Sequence, residues 1–279
     1  MEDFFERKKD FLVCVDSDGC AMDTMDIKHI ACFGPCMVEE WNLSEWEAPI
    51  LKRWNEINLY QKTRGINRFK ALALILSEID HNYQRIEDLD TLIYWADHAK
   101  ELSNKSLETE AEERDSICLR KALAWSKAVN KKIDELSDDV KKPFAGVQEA
   151  LKEIHTYADI AIVSSANRQA VLDEWEKEHI LEYTDIVMAQ DCGSKAHCIE
   201  LLKKKGYRED HILMVGDAPG DLQAARKNEV MFFPILVKKE KESWEELKDK
   251  GLHALLEGTY LGAYEKEKEE EFYKNLSLE

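Results

Sequence analysis

The sequence has 279 residues, of which 44% are hydrophobic and 34% charged, and its formal net charge is −18. This composition allows a core large enough for one large domain or two modest ones. The negative charge argues against sequence-independent binding to nucleic acid or to an anionic membrane, since both require a basic surface.

The first predicted element is a strand at Phe11–Val15, which is followed directly by the sequence Asp-Ser-Asp-Gly. Short apolar runs of the same kind return in the second half of the chain, at 160–163, 185–188, 212–215 and 231–236. Helical patterns accompany them at 146–155, 168–179, 195–206 and 220–227. Short, continuously apolar strands that alternate with helices indicate a parallel sheet with helices on both faces. We therefore predict a Rossmann-like α/β core.

A long helical segment separates the first predicted strand from the second. Residues 24–141 show the spacing of buried helical positions, for example at Leu72, Leu76 and Ile79. Pro143 is a plausible start of the returning chain, because proline begins new segments. The predicted domains are an α/β core at 1–23 and 142–264, an all-helical insert at 24–141, and a charged, solvated C-terminal tail or helix at 265–279.

Acidic and hydroxyl residues follow the predicted strands where each strand ends. Asp16 and Asp18 come after the first strand, Ser164 after the second, and Asp217 and Asp221 after the fourth. Parallel α/β sheets bind ligands at the carboxyl ends of their strands. Carboxylates that share a cleft repel one another, and a bound Mg²⁺, which favours carboxylate and carbonyl oxygens, relieves that cost. The pattern predicts a magnesium site.

Four short motifs resemble those of the haloacid dehalogenase-like superfamily. VDSDGC at 15–20 resembles its first motif, AIVSS at 161–165 the second, Lys195 at a helix start the third, and MVGDAPGD at 214–221 the fourth. The resemblance covers about 1–23 and 142–237. An insert between the first and second motifs is similar to the family's helical cap, which points to the phosphatase and β-phosphoglucomutase-like branch.

The resemblance implies a mechanism of phosphoryl transfer to an aspartate. Asp16 would attack phosphorus and form an aspartyl-phosphate, which splits one difficult displacement into two steps. Asp18 would protonate the leaving oxygen and then activate water. Because haloacid dehalogenases proper and phosphonate hydrolases lack an acid at this place, Asp18 favours phosphate esters as substrates.

The resemblance also implies the ligands of the metal and of the phosphoryl group. Mg²⁺ would be held by Asp16, the main-chain carbonyl of Asp18 and Asp217, with Asp221 nearby. Charge on the phosphoryl oxygens would be stabilised by Lys195 and Ser164. Ser165 and Asn167 are further candidates for substrate binding.

The insert carries one more candidate. RGINRFKAL at 64–72 resembles a run in the cap of β-phosphoglucomutase whose arginine binds a substrate phosphate, which points to Arg68. Lys28 stands where the mutase has a helper histidine, and this departure favours a phosphatase.

We expect an Mg²⁺-dependent phosphatase of a small phosphorylated metabolite. A phosphomutase and a non-catalytic phosphate-binding protein on the same fold are the alternatives.

Several candidates have an ordinary structural interpretation as well. Asp221 could be a carboxylate favoured by the dipole at a helix N-terminus, and Arg68 could be an exposed arginine at a helix start. Cys32 and Cys36 have no second pair to complete a metal site and indicate ordinary packing.

The location of the protein is predicted from what the sequence lacks. Residues 1–10 do not have the basic-then-apolar order of a secretory signal, and no stretch approaches the roughly 20 apolar residues of a membrane helix. The seven cysteines show no disulfide framework, which indicates reduced thiols. We therefore expect a cytoplasmic protein.

Overall fold

The computed structural model describes residues 5–276 and divides into two compact units. One unit combines the residues up to Met25 with those from Asp138 onward, and the other is Asp26–Ser137. The sequence predicts domain divisions at 23/24 and 141/142. The parts of the predicted N-terminal and C-terminal segments at 1–4 and 277–279 lie outside the described residues.

The first unit is built on a five-stranded sheet. The strands are β1 Phe11–Val15, β2 Ala158–Val163, β3 Ile186–Met188, β4 Ile212–Gly216 and β5 Met231–Pro234. Their order across the sheet is β3-β2-β1-β4-β5. Every neighbouring pair of strands is parallel, and Val13 in the centre lies between Ile160 and Leu213. The predicted Rossmann-like parallel sheet is therefore confirmed.

The strand order brings the candidate residues to one place. The chain leaves β1 for β2 and β3 on one side, then crosses to β4 and β5 on the other. The carboxyl ends of β2, β1 and β4 consequently lie side by side. The strand order reverses here, and α/β sheets bind ligands at such a point. The helices of this unit are Val147–Tyr157, Arg168–Lys177, Lys195–Lys203, Pro219–Lys227, Glu240–Glu246, Leu252–Glu257 and Ala263–Asn275.

The second unit, residues 26–137, consists of helices around an aromatic core. Its α-helices are Gly34–Glu40, Glu47–Asn55, Arg68–Asn82, Leu89–His98, Asn104–Arg114 and Ile117–Asp134, and Met25–Lys28 leads into it. The π-helical turns His29–Phe33 and Glu56–Tyr60 continue the helices before them. Trp54 and Trp125 meet edge to face at 6.0 Å, and Phe69 meets Trp95 at 5.1 Å. Buried aromatic pairs of this geometry add to the stability of a core.

The C-terminal segment is a helix, Ala263–Asn275, which is one of the two forms predicted for it. The expectation that it is solvated applies to part of the helix only. Lys268, Phe272 and Leu276 are buried, and the ring of Phe272 lies 5.2 Å from that of Phe232 in β5. Of the acidic residues that dominate this segment, Glu267 and Glu270 are exposed, whereas Glu265, Glu269 and Glu271 are half-buried.

The cysteines take structural positions. All seven are buried, and Cys32 and Cys36 lie in the hydrophobic core of the helical unit, where ordinary packing accounts for them. Among residues 5–276, no helix has the combination of length and apolarity needed to cross a membrane.

Candidate active site

The loop after β1 is held in place from several directions. The backbone N–H of Asp16 donates to the carbonyl of Val215 at 3.0 Å, which extends the sheet by one residue. The indole of Trp175 donates to the Ser17 hydroxyl and that of Trp244 to the Cys20 carbonyl, both at 2.9 Å. Both tryptophans are fully buried. The backbone around Asp16 is thus fixed by the packed core.

Lys195 joins two of the predicted carboxylates. It is the first residue of helix Lys195–Lys203, and its Nζ lies 2.8 Å from Asp16 Oδ2 and 2.6 Å from Asp221 Oδ1. The exposed fractions of the three side chains are 16% for Lys195, 8% for Asp16 and 0% for Asp221. These charges are therefore poorly screened by water, and their interactions are stronger than those of surface pairs.

Asp217 completes an acidic cluster. Carboxylate oxygens of Asp16, Asp217 and Asp221 all lie within 4.8 Å of one another, and all three residues are buried. The Lys195 ammonium contacts two of these carboxylates, Asp16 and Asp221. Clustered carboxylate oxygens with excess negative charge suit Mg²⁺, which prefers hard oxygen ligands. The residues present therefore fit the metal that the sequence predicts.

Gly216 allows this cluster to form. The Oδ2 atom of Asp221 accepts a hydrogen bond from the backbone N–H of Ala218 at 3.1 Å, which turns the side chain back towards the end of β4. A Cβ at Gly216 would lie 2.4 Å from Asp221 Cγ. Real Cβ atoms do not approach that closely, so the glycine of the fourth motif makes room for Asp221.

Burial governs the protonation of the cluster. Burial raises the pKa of Asp16 well above its ordinary value, and Asp221 and Asp217 add to the rise while Lys195 opposes it. Burial by itself would lower the pKa of Lys195, but Asp16 and Asp221 outweigh it and the pKa is raised. The raised pKa favours the charged form of Lys195. Burial, reinforced by the same carboxylates, raises the pKa of Cys20 well above its ordinary value, so Cys20 is a neutral thiol.

Asp18 stands apart from the acidic cluster and is partly exposed. Its Oδ1 accepts a hydrogen bond from the hydroxyl of Thr24 at 2.5 Å, and Thr24 is fully buried. This contact orients the Asp18 carboxylate. Thr24 is not among the site residues predicted from the sequence, although it lies only six residues after Asp18.

The candidates after β2 have different surroundings. Ser164 is buried, and its hydroxyl accepts from the backbone N–H of Ala166 at 3.1 Å. Ser165 is exposed. The side-chain oxygen of Asn167 caps helix Arg168–Lys177, accepting from the backbone N–H groups of Gln169 at 2.9 Å and Ala170 at 3.3 Å. Asn167 thus has a structural task in addition to any contact with substrate.

Arg68 lies in the helical unit, at the first position of helix Arg68–Asn82. Its Nη1 donates to Asn130 Oδ1 at 2.7 Å and to the Ser126 hydroxyl at 3.3 Å. Its guanidinium carbon also lies 4.9 Å from the ring centre of Phe33, a cation–π distance. These contacts are all made to other side chains of the same unit.

A five-stranded parallel sheet with an acidic cluster at the carboxyl end of its central strand defines the class of protein, an α/β protein of Rossmann-like fold. The family model for haloacid dehalogenase-like hydrolases matches residues 66–235. The chain belongs to the haloacid dehalogenase-like hydrolase family, as the four motifs indicate. No curated protein matches this chain by sequence.

Solved structures of the same family share the fold. A haloacid dehalogenase-like hydrolase from Bacteroides fragilis is similar with a TM-score of 0.53 and 13% identity, over 85% of this chain and 93% of that one. A haloacid dehalogenase-like family hydrolase from Streptococcus pneumoniae has a TM-score of 0.52 and 12% identity, over 84% of this chain and 90% of that one. At such identities the likeness shows the fold alone.

Proposed function

We propose that this hydrolase is an Mg²⁺-dependent phosphatase that cleaves a small phosphorylated metabolite through an aspartyl-phosphate on Asp16. The observation that carries the proposal is the buried Asp16 carboxylate, which has the Lys195 ammonium at 2.8 Å and two further carboxylates clustered with it. A candidate phosphoglycolate phosphatase from Lactobacillus delbrueckii, similar with a TM-score of 0.52 and 15% identity over 81% of this chain and 86% of that one, supports the same class of reaction.

Asp16 and Asp18 would share the chemistry. A carboxylate oxygen of Asp16 forms a bond to phosphorus as the bond to the leaving alcohol breaks, and Asp18 gives the alcohol its proton. Water then attacks the aspartyl-phosphate and loses its proton to Asp18. Inorganic phosphate leaves, and both carboxyl groups return to their starting states. The hydrogen bond from Thr24 holds Asp18 in one orientation during both transfers.

Charge at the site would be balanced by Lys195, Ser164 and the metal. Lys195 and the Ser164 hydroxyl bind the phosphoryl oxygens. Asp16, Asp217, Asp221 and the main-chain carbonyl of Asp18 would hold Mg²⁺, which supplies positive charge opposite the phosphoryl group. Ser165 and Asn167, in the loop after β2, are proposed as further contacts to the substrate.

The helical unit is proposed as the part that selects the substrate, since it occupies the cap position of the family. Arg68, whose Nη1 donates to Ser126 and Asn130, is proposed to contact a substrate phosphate from this unit. Lys28, which is buried, stands at the helper histidine position of the mutase. The substitution favours a phosphatase over a phosphomutase.

The first prediction tests metal and nucleophile together. Hydrolysis of an aryl phosphate should require Mg²⁺, stop on chelation, and fall to background in Asp16→Asn. Asp18→Asn should lower turnover by about 10²–10⁴-fold through loss of acid–base catalysis. Asp173→Asn, which changes an exposed carboxylate on helix Arg168–Lys177, is the matched control. Undiminished turnover in excess EDTA would exclude the metal, and an active Asp16→Asn would exclude the nucleophile.

A further inference from the structure

The position of Lys195 depends on a short turn. Six residues, 189–194, connect β3 to helix Lys195–Lys203. Within them Gly193 has φ +96°, in the left-handed region that favours glycine. The Ser194 hydroxyl caps the helix by accepting from the backbone N–H of His197 at 3.3 Å. Any freedom in this turn would move the first residue of the helix, which is Lys195.

The turn is joined to the loop that carries Ser164. The backbone N–H of Gln190 donates to the carbonyl of Ala166 at 3.0 Å, and that of Ser164 donates to the carbonyl of Met188 at 2.9 Å. Backbone hydrogen bonds therefore join the two loops at the carboxyl ends of β2 and β3. Ser164, which is predicted to bind phosphoryl oxygens, lies in one of these loops, and Lys195, predicted for the same task, directly follows the other.

The side chain of Arg168 links the two joined loops. Arg168 begins the helix after the Ser164 loop, and its Nη1 donates to the Val187 carbonyl at 2.7 Å. Its Nε donates to Asp191 Oδ2 at 2.6 Å, and its Nη2 lies 2.8 Å from Cys192 Sγ. All three contacts fall on residues 187–192, between the last residues of β3 and the middle of the turn.

We propose that Arg168 is a positioning residue that fixes the turn 189–194 and thereby holds the Lys195 ammonium against Asp16 and Asp221. Its consequence for activity rests on the proposed function of Lys195. The effect of Arg168 on the turn does not rest on that function, since it concerns only how firmly residues 189–194 are held.

The guanidinium geometry supports this role. Its planar fork presents several N–H groups in fixed directions, so one side chain reaches a backbone carbonyl, a carboxylate and a thiol at once. Asp191 is 56% exposed, and an ion pair that faces water contributes little stability by itself. Arg168 also lowers the pKa of Asp191 through their hydrogen bond. The set of three contacts, rather than the ion pair, explains why an arginine suits this position.

The test compares Arg168→Ala and Arg168→Lys with wild type. Loss of the fork should reduce kcat/KM for an aryl phosphate by about 10–100-fold, the size expected for a misplaced catalytic group. Arg168→Lys should recover little, because an ammonium keeps the charge without the fork. Lys203→Ala is the control, since Lys203 lies at the far end of the same helix and donates to the Asn228 carbonyl and to Glu209. It should retain nearly full activity.

A double-mutant cycle separates positioning from general destabilisation. Because Arg168 acts through Lys195, Arg168→Ala should cost almost nothing further in a Lys195→Ala background. Independent, multiplying losses would overturn the proposal, and so would wild-type kcat/KM in Arg168→Ala. Circular dichroism and melting of each variant identify any that do not fold, and Arg168→Gln then replaces Arg168→Ala.

Hydrogen exchange keeps the proposal testable without activity. In Arg168→Ala, amides at 189–196 should exchange faster than in wild type, while those of β1 and β4 should be unchanged. Unchanged exchange at 189–196 would overturn the proposal. If wild type lacked phosphatase activity or Asp16→Asn retained it, the proposed function would fail, whereas faster exchange at the turn would still support the positioning role.

Discussion

At the scale of single residues, the approach of Asp221 to the sheet depends on the missing side chain of Gly216. A methyl group there would overlap Asp221 Cγ and Cβ, at 2.4 and 2.5 Å. Since Asp221 is completely buried and also contacts Lys195, it has no open space into which to move. Gly216 is therefore needed for the position of Asp221 in the site as well as for the packing of the fold.

Gly216→Ala should accordingly destabilise the protein by about 1–3 kcal/mol, as overpacking of a core does, and should weaken Mg²⁺ binding. Gly220→Ala is the matched control in the same motif, because a Cβ there meets nothing within 4 Å. It should change stability by less than about 1 kcal/mol. Urea denaturation and metal titration measure both effects, and equal behaviour of the two variants would contradict the explanation.

Asp16 should link metal binding to pH. In the metal-free protein its raised pKa means that the folded state holds a proton more tightly than the unfolded state. The resulting stabilisation is fully present below the ordinary carboxyl pKa of about 3.9 and is lost as pH rises through the raised value. Metal binding requires the ionised carboxylate, so Mg²⁺ should bind more tightly as pH rises through this window.

Mg²⁺ should therefore displace a proton from Asp16 when the two are mixed within that window. Calorimetric titration in buffers of different ionisation enthalpy counts the protons released. Asp16→Asn, which has no proton to release at this position, is the control and should show a smaller count. Equal proton release from wild type and Asp16→Asn would show that another group is responsible.

At the scale of elements, the C-terminal helix packs against β5, which is an edge strand of the sheet. Exposed edge strands pair readily with other chains, and proteins commonly cover them. Helix Ala263–Asn275 packs on β5 through Phe272, and buried Lys268 is held by Glu246 at 2.8 Å and Glu271 at 2.6 Å. The helix is thus part of the α/β unit rather than an appendage.

Phe272→Ala should cost about 3–5 kcal/mol of stability, the usual loss for a buried phenylalanine. Phe272 is 1% exposed, whereas the neighbouring Tyr273 is 40% exposed. Tyr273→Ala is therefore the control and should cost less than about 1 kcal/mol. Denaturation of both variants in urea provides the comparison, and a loss for Phe272→Ala as small as that expected for Tyr273→Ala would mean that the helix contributes little to the core.

At the scale of the whole molecule, the proposed phosphatase and a phosphomutase differ in what leaves the enzyme. A phosphatase admits water to the aspartyl-phosphate, whereas a mutase returns the phosphoryl group to its intermediate. With a sugar monophosphate and a trace of the bisphosphate, we expect inorganic phosphate and no isomer. Product analysis by phosphorus NMR distinguishes them, and isomerised sugar without inorganic phosphate would refute the phosphatase proposal.

Local sequence was sufficient for the sheet. Strands such as β1 and β4 are short, continuously apolar runs that end in acidic residues, and this pattern is a property of neighbouring residues alone. Because this pattern is local, Asp16 and Asp217 were also recognisable as strand-end residues. The motifs around them led to the family. The helical insert was predictable for the same reason, since its buried residues recur at helical spacing.

Long-range packing decided what the sequence left open. Lys195 meets Asp16 and Asp221 because parallel pairing aligns the strand ends, and no local pattern contains those distances. The charged run after residue 264 looked solvated, because its single Phe272 has no local partner and the site that buries it lies on β5. The contacts of Arg168 likewise join segments that are separate in the sequence. Residue patterns determined which elements form, whereas burial between distant segments determined which side chains meet.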